Sequence, residues 1–224
     1  MLLVTHLSQR LARGLLFAVL LAAVSLALAG RSDLPMLDSL IVVCAGLVLV
    51  GHLVIDPDLL RERRRRGQAG EDPGRLAFIR ALFLVMFVFG LVDVGRFHWS
   101  DRVPPALQKG ALAIFALASL SALWAVSVNR FFVPVIRLQS ERGHRVIDSG
   151  PYAIVRHPGY AAMILVPPAA ALALGSWGAL LPALGLSALF LARTAHEDRF
   201  LRGHLEGYAE YAARVRFRLL PGVW

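Results

Sequence analysis

Gly150-Pro151-Tyr152-Ala153-Ile154-Val155-Arg156-His157-Pro158-Gly159-Tyr160 is a stiff, polar run set between stretches apolar enough to lie in lipid. Two prolines and two glycines constrain its backbone, and an arginine, a histidine and two tyrosines supply polar side chains. Irregular backbone of this kind is tolerated at membrane depth only where protein buries it or where it lines a cavity. The run therefore implies a helical membrane protein folded around a polar site, and a polar cofactor is its expected occupant.

The composition agrees. Of 224 residues 57% are hydrophobic and 17% charged, with a mean hydropathy of +0.62, far from an average soluble domain. Apolar windows of about 20 residues predict spans at Leu11–Ala29, Leu37–Ile55, Leu76–Val94 and Ala106–Val128. A last apolar region, Tyr160–Ala192, is too long for one span and is interrupted by Pro167-Pro168, Gly175-Ser176-Trp177-Gly178 and Pro182. It reads as a helical hairpin turning at Gly175–Gly178, its short arms tilted or locally thinning the bilayer. The expected fold is thus an all-α polytopic bundle of about five or six transmembrane helices, the last two a hairpin, with a C-terminal helix beyond. Residues 1–128 form its four-helix N-terminal part and 129–224 its functional part, within one integrated domain.

Cys44, the single cysteine, lies in an apolar run and offers neither a disulfide nor a cysteine-rich metal site. Arg10 and Arg13 before an apolar stretch ending in Ala27-Leu28-Ala29 imitate a cleavable secretory signal. Because further spans follow at once, the expected reading is a retained signal-anchor.

The formal net charge of +9 invites a nucleic-acid reading, which the placement of the charges argues against. With the N-terminus in the cytoplasm, only Arg31, Arg96, Arg102 and Lys109 of the 24 basic residues fall outside. That asymmetry is the positive-inside rule. Arg61–Arg66 with the following Gly67–Gly74 reads as a solvated cytoplasmic loop, without the interleaved aromatics of a nucleic-acid patch. Both termini are expected in the cytoplasm, and the bias of 23 arginines to one lysine suggests a bacterial inner membrane. His52, Arg80 and Asp93 are intramembrane polar groups expected to face the bundle interior.

Three segments after residue 128 concentrate the unusual residues. They are Asn129–His144, the opening run, and Arg193-Thr194-Ala195-His196-Glu197-Asp198 continuing to Tyr208, Tyr211, Arg214 and a Leu220-Pro221-Gly222 end. The third reads as a helix leaving the hairpin, with Arg193 and Glu197 on one face and breaks at Gly203 and Gly207. Taken alone, such charges serve as interface anchors, and Tyr152, Tyr160, Tyr208 and Tyr211 serve equally as an aromatic belt. His196 and His204 stand eight apart, whereas metal-binding helices use i, i+4 histidines, so no metal is expected.

Taken together, the segments resemble the isoprenylcysteine carboxyl methyltransferase family and its phospholipid methyltransferase relatives. The shared pattern is Gly150-Pro151-Tyr152, then Val155-Arg156-His157-Pro158 with Tyr160, then Arg193 followed by the acids Glu197 and Asp198. Gly207-Tyr208 with Tyr211, and Arg218 with Pro221-Gly222, complete it. The likeness covers about the last 95 residues; the first four spans match only as hydrophobic helices. The family's acid pair is usually Glu-Glu, so Asp198 departs from it by one methylene.

The resemblance implies an S-adenosylmethionine site closed off from water and a lipid-facing route for an apolar acceptor. Carried over residue by residue, it implies cofactor contacts from Gln139, Gly150, Pro151, Tyr152, Val155, Arg156, His157, Pro158, Tyr160, Glu197 and Asp198, with Arg193 and Glu197 catalytic. Methyl transfer needs alignment and no metal. A carboxylate acceptor is already nucleophilic at neutral pH and needs only orientation by a cation such as Arg193. An amine or thiol acceptor needs a base, Glu197 or His196. The expected partners are membrane lipids and a lipophilic or membrane-associated acceptor, not nucleic acid. The rival readings are a phospholipid N-methyltransferase or thiol S-methyltransferase on the same scaffold, an NADPH-dependent membrane reductase, and a transporter, which would show repeated broken helices.

Overall fold

Proline opens five of the helices, at a position where its missing N–H costs nothing and its fixed φ favours the first turn. The computed structural model describes residues 2–64, 73–100 and 103–224. Among these residues it contains α1 (Leu2–Ala29), α2 (Pro35–Val54), α3 (Pro57–Arg64), α4 (Pro73–Val92), α5 (Pro105–Val128), α6 (Pro158–Leu174), α7 (Trp177–His204) and α8 (Tyr208–Arg214). A π-helical turn, Asp93–Phe97, extends α4. Short 3₁₀ turns occupy Ser140–Arg142 and Gly150–Ala153.

Five of these segments, within α1, α2, α4, α5 and α7, are long and apolar enough to cross a membrane, and α6 is a shorter apolar helix of 17 residues. The chain is an integral membrane helical bundle, as its hydropathy predicts. The α6–α7 hairpin turns where expected: Gly175 has φ +96°, a left-handed conformation that favours glycine. The Ser176 side chain then caps α7 by accepting from the Ala179 N–H at 3.0 Å.

Pro167 and Pro168 lie inside α6, and Pro182 inside α7, without breaking either helix. Pro168 has no N–H for the Ile164 carbonyl, and the Ser187 hydroxyl of α7 donates to that carbonyl at 2.7 Å instead. A neighbouring helix thus satisfies the freed group, as lipid-embedded backbone requires. α7 also runs past Ala192 to His204 as one helix, and Gly203 does not interrupt it. The break falls at Leu205–Gly207, before α8.

Small residues let the helices approach closely. Ala111, Ala118 and Ala125, seven apart on α5, are buried, as are Ala162, Ala169 and Ala173 on α6. At the end of the bundle away from the opening run, Asp93 is fully buried. It accepts from the Ser176 hydroxyl and from the Ser100 N–H at 3.0 Å. Arg96 donates to the carbonyls of Ala27 and Leu28, both at 2.8 Å, capping α1.

Asp93 faces the interior as expected, and His52 and Arg80, half-buried and exposed, line a space between the helices. One sequence expectation is corrected. The basic segment after α2 begins as a helix, α3, rather than a solvated loop. Its Glu62 is buried and bridges Arg137 at 2.6 Å, while its Asp58 bridges Arg142 at 2.9 Å. Those ion pairs clamp α3 to the 130–144 segment; the remainder of that expected loop, residues 65–72, lies outside the described residues.

Candidate active site

Pro158 decides the local geometry of the opening run. It starts α6 and excludes His157 from the helical region, leaving that residue at φ −129°, ψ 59°. The extended backbone before it pairs with the C-terminal segment: the Arg156 N–H donates to the Phe217 carbonyl at 3.0 Å and the His157 N–H to the Arg218 carbonyl at 2.9 Å. The run is thereby tied to the end of the chain.

Asp198 closes the knot. It is 0% exposed, yet it collects donors from four parts of the protein. Its Oδ1 accepts from Arg156 Nε at 2.7 Å and from the Tyr208 hydroxyl at 3.0 Å, with His157 Nε2 at 3.3 Å. Its Oδ2 accepts from Arg156 Nη2 at 3.3 Å, Arg218 Nε at 3.0 Å and Arg202 Nε at 3.3 Å. A buried carboxylate is sustained only by such complete pairing. Both oxygens are occupied by protein donors, so Asp198 builds the walls of the site.

Those walls border a cavity of about 50 Å³, lined by Tyr152, Arg156, His157, Gly159, Tyr160 and Glu197 of the predicted motifs. Asn129, Phe132, His144, Leu201, Leu205, Tyr208 and Tyr211 complete much of the lining. All four tyrosines are buried here, which corrects the aromatic-belt alternative. Burial raises the phenol pKa of Tyr152, Tyr208 and Tyr211, most plainly at Tyr208 beside the Asp198 charge, and keeps them protonated donors. Tyr211 donates to the Tyr152 carbonyl at 2.7 Å.

His144 carries no motif signal and was not anticipated. Burial, helped by Arg137 and Arg142, pushes its imidazole down to about 4, so it is neutral at physiological pH. Nδ1 accepts the Gln139 N–H at 3.3 Å, which leaves the proton on Nε2. Phe132 was equally silent in sequence. Its ring rests on Gly159, where a Cβ would stand 2.6 Å from Phe132 Cε2, so only glycine permits this contact.

Behind Phe132 and Tyr160 lies a second space, an apolar groove of about 670 Å³ that both residues also line. It runs among α1, α2, α4, α5, α6 and α7, and Arg193 reaches it. Tyr160 joins the two spaces. Its hydroxyl donates to Glu197 Oε2 at 2.6 Å on the cavity side and accepts from Arg193 Nε at 2.8 Å on the groove side. Arg193 and Glu197 share a face of α7 as the i, i+4 spacing predicts. Arg193 is 4% exposed and donates Nη2 to the Pro134 carbonyl, but its buried Nη1 has no partner among the described residues.

The remaining predicted residues support the site from outside its lining. Gly150 has φ +56° and packs on Val128 and Trp124. Pro151 and Val155 are buried in the turn, and Pro158 starts α6. Gln139 is fully buried, donates to the Phe131 carbonyl at 2.7 Å and accepts from Arg142 Nη1, so it shapes the 130–144 segment.

The chain is similar in sequence to known proteins. The Cobalt-zinc-cadmium resistance protein CzcN of Cupriavidus metallidurans is 28% identical over 138 residues, which cover 59% of this chain and 58% of that protein. The chain therefore spans less than two thirds of the length of that relative. Residues 111–203, which hold α5, α6, most of α7 and the opening run, match the model of the Isoprenylcysteine carboxyl methyltransferase (ICMT) family. The resemblance recognised from the Gly150–Tyr160, Arg193 and Glu197 motifs is borne out over residues 111–203, where the chain is similar to the isoprenylcysteine carboxyl methyltransferase family.

Proposed function

We propose that this membrane methyltransferase uses S-adenosylmethionine, bound in the polar cavity, and methylates a lipophilic acceptor lying in the apolar groove. The observation that carries the reading is the Tyr160 hydroxyl, shared between Glu197 on one side and Arg193 on the other. It sits where a polar donor and an apolar acceptor would meet.

The residues present fit that cofactor. The second oxygen of Glu197 has no hydrogen-bond partner among the described residues, so it is available to an amino group or a ribose hydroxyl. His144 offers an Nε2 donor. The rings of Phe132 and Tyr160 offer π faces to a cation. When bound, S-adenosylmethionine supplies an electrophilic methyl on a sulfonium and departs as a neutral thioether. The protein's own part is alignment in a site that excludes water.

Among the acceptor chemistries, O-methylation of a carboxylate is favoured. The unpartnered Nη1 of Arg193 suits a carboxylate oxygen, and its Nε bond to Tyr160 fixes the orientation of the guanidinium. No base is then required. N-methylation of a phospholipid amine or S-methylation of a thiol would instead draw on Glu197. In this reading residues 129–224 hold the donor and residues 1–128 supply much of the groove wall, with the site and both termini on the cytoplasmic side of a bacterial inner membrane.

The test is thermal unfolding of the purified protein in neutral detergent. S-adenosylhomocysteine at 100 times its Kd is expected to stabilise by about 2.7 kcal/mol, and NADPH not at all. Stabilisation by NADPH alone would replace this reading with the reductase.

A further inference from the structure

We propose that Arg80 and Arg63 form a capture site for a negatively charged headgroup at the mouth of the apolar groove, where an anionic long-chain acceptor leaves the bilayer before reaching Arg193. The proposal rests on the reading of the groove as the acceptor's space. It begins with a charge imbalance. Among the described residues three arginines, Arg63, Arg80 and Arg193, line the groove, and no aspartate or glutamate does. Uncompensated like charges in an apolar, low-dielectric space are costly, and an anionic ligand relieves that cost.

Arg80 is the informative member. It lies seven residues inside α4, about 10 Å along the helix at 1.5 Å per residue, within the membrane-spanning stretch Gly74–Phe97. An intramembrane arginine is expected to face the bundle interior and pair with an acid. Arg80 faces the groove between the helices but stays exposed there and has no ion pair among the described residues. Its place in the groove lining puts its charge where a molecule arriving sideways from lipid would meet it.

Arg63 holds its place by contacts that leave its charge unneutralised. It donates Nη1 to the Phe132 carbonyl at 2.8 Å and lies 5.6 Å over the Phe132 ring. The acids of its own helix are engaged elsewhere, Asp58 with Arg61 and Arg142 and Glu62 with Arg137. Arg63 therefore sits on the same aromatic residue that divides the groove from the polar cavity. A headgroup passing from Arg80 towards Arg63 would arrive beside Phe132, with the unpartnered Nη1 of Arg193 beyond it.

The groove also accommodates a long tail. It shares Leu21 and Cys44 with a further, almost wholly apolar cavity of about 230 Å³. A charged head at the arginines and an extended chain towards Cys44 match the two chemistries of the lining. Simple snorkelling of Arg80 to the interface is the competing explanation, and it predicts no ligand dependence.

The test uses the purified full chain in neutral detergent, with cis-parinarate as fluorescent probe and unlabelled competitors. Oleate is expected to displace the probe at least about tenfold better than oleyl alcohol or oleylamine, a difference of about 1.4 kcal/mol. Arg80→Gln should weaken oleate about tenfold, Arg80→Lys should restore most of the loss, and both variants should bind S-adenosylhomocysteine as the wild type does. Equal affinity of Arg80→Gln and wild type for oleate would overturn the proposal. So would oleyl alcohol competing as well as oleate, or phosphatidylglycerol competing where oleate does not. Failure of the wild type to bind S-adenosylhomocysteine would instead count against the methyltransferase reading, so the two failures are distinguishable.

Discussion

Asp198→Ala is expected to lower the unfolding free energy by about 3–5 kcal/mol, the usual cost of removing one partner from a buried ion pair. The substitution strips Arg156, His157, Tyr208 and Arg218 of a shared acceptor. Arg156 and His157 are themselves buried, so a cation is left without its counterion inside protein. The opening run, α7, α8 and the C-terminal segment meet at this carboxylate, and all should loosen together. Thermal unfolding in detergent, read with and without S-adenosylhomocysteine, measures the effect. Asp198→Asn keeps the shape but offers only one acceptor oxygen, and it should fall between the wild type and Asp198→Ala. Wild-type stability in Asp198→Ala would mean that the buried network contributes nothing.

Glu197→Ala should behave oppositely, folding normally while losing S-adenosylhomocysteine binding by about 100-fold. One of its oxygens holds the Tyr160 hydroxyl; the other has no partner among the described residues and, in the proposed reading, takes the ligand. A hydrogen bond to a charged group contributes about 1.5–3 kcal/mol, and the upper end of that range is about 100-fold in affinity. Its partial exposure lets water replace the carboxylate, so little stability should be lost. Isothermal titration separates the cases: unchanged affinity would remove Glu197 from the donor site. His157→Ala is a less clean probe of the same cavity, because the imidazole also serves Asp198 and Tyr208.

The contrast between these neighbours marks the limit of what local sequence conveys. Glu197 and Asp198 read alike as an acid pair. One helical step of about 100° sends the first towards the cavity and the second into a cage of arginines, and no local signal says which goes where. The membrane helices were readable because apolar length is a local property, and the hairpin because Gly175-Ser176 is a local turn and cap. α3 was not, since its charged residues become helix through ion pairs with Arg137 and Arg142, some 75 and 84 residues away. Pro167-Pro168 looked like an interruption because the hydroxyl that satisfies Ile164 comes from Ser187 on another helix. Phe132 and His144 enter the site only through the path of the 129–147 segment, which no period or motif encodes. Arg80 was legible as a charge in a span, but its place in the groove depends on how α4 packs.

The central claim is that a methyl donor in the Glu197 cavity meets a lipophilic acceptor in the Arg193 groove across Tyr160. The most direct measurement incubates bacterial membranes containing the protein with methyl-tritiated S-adenosylmethionine and extracts them with organic solvent. Label is expected in the extract, released by base as methanol from an ester, and absent when the membranes carry Glu197→Ala. No extractable label above that control would contradict the account.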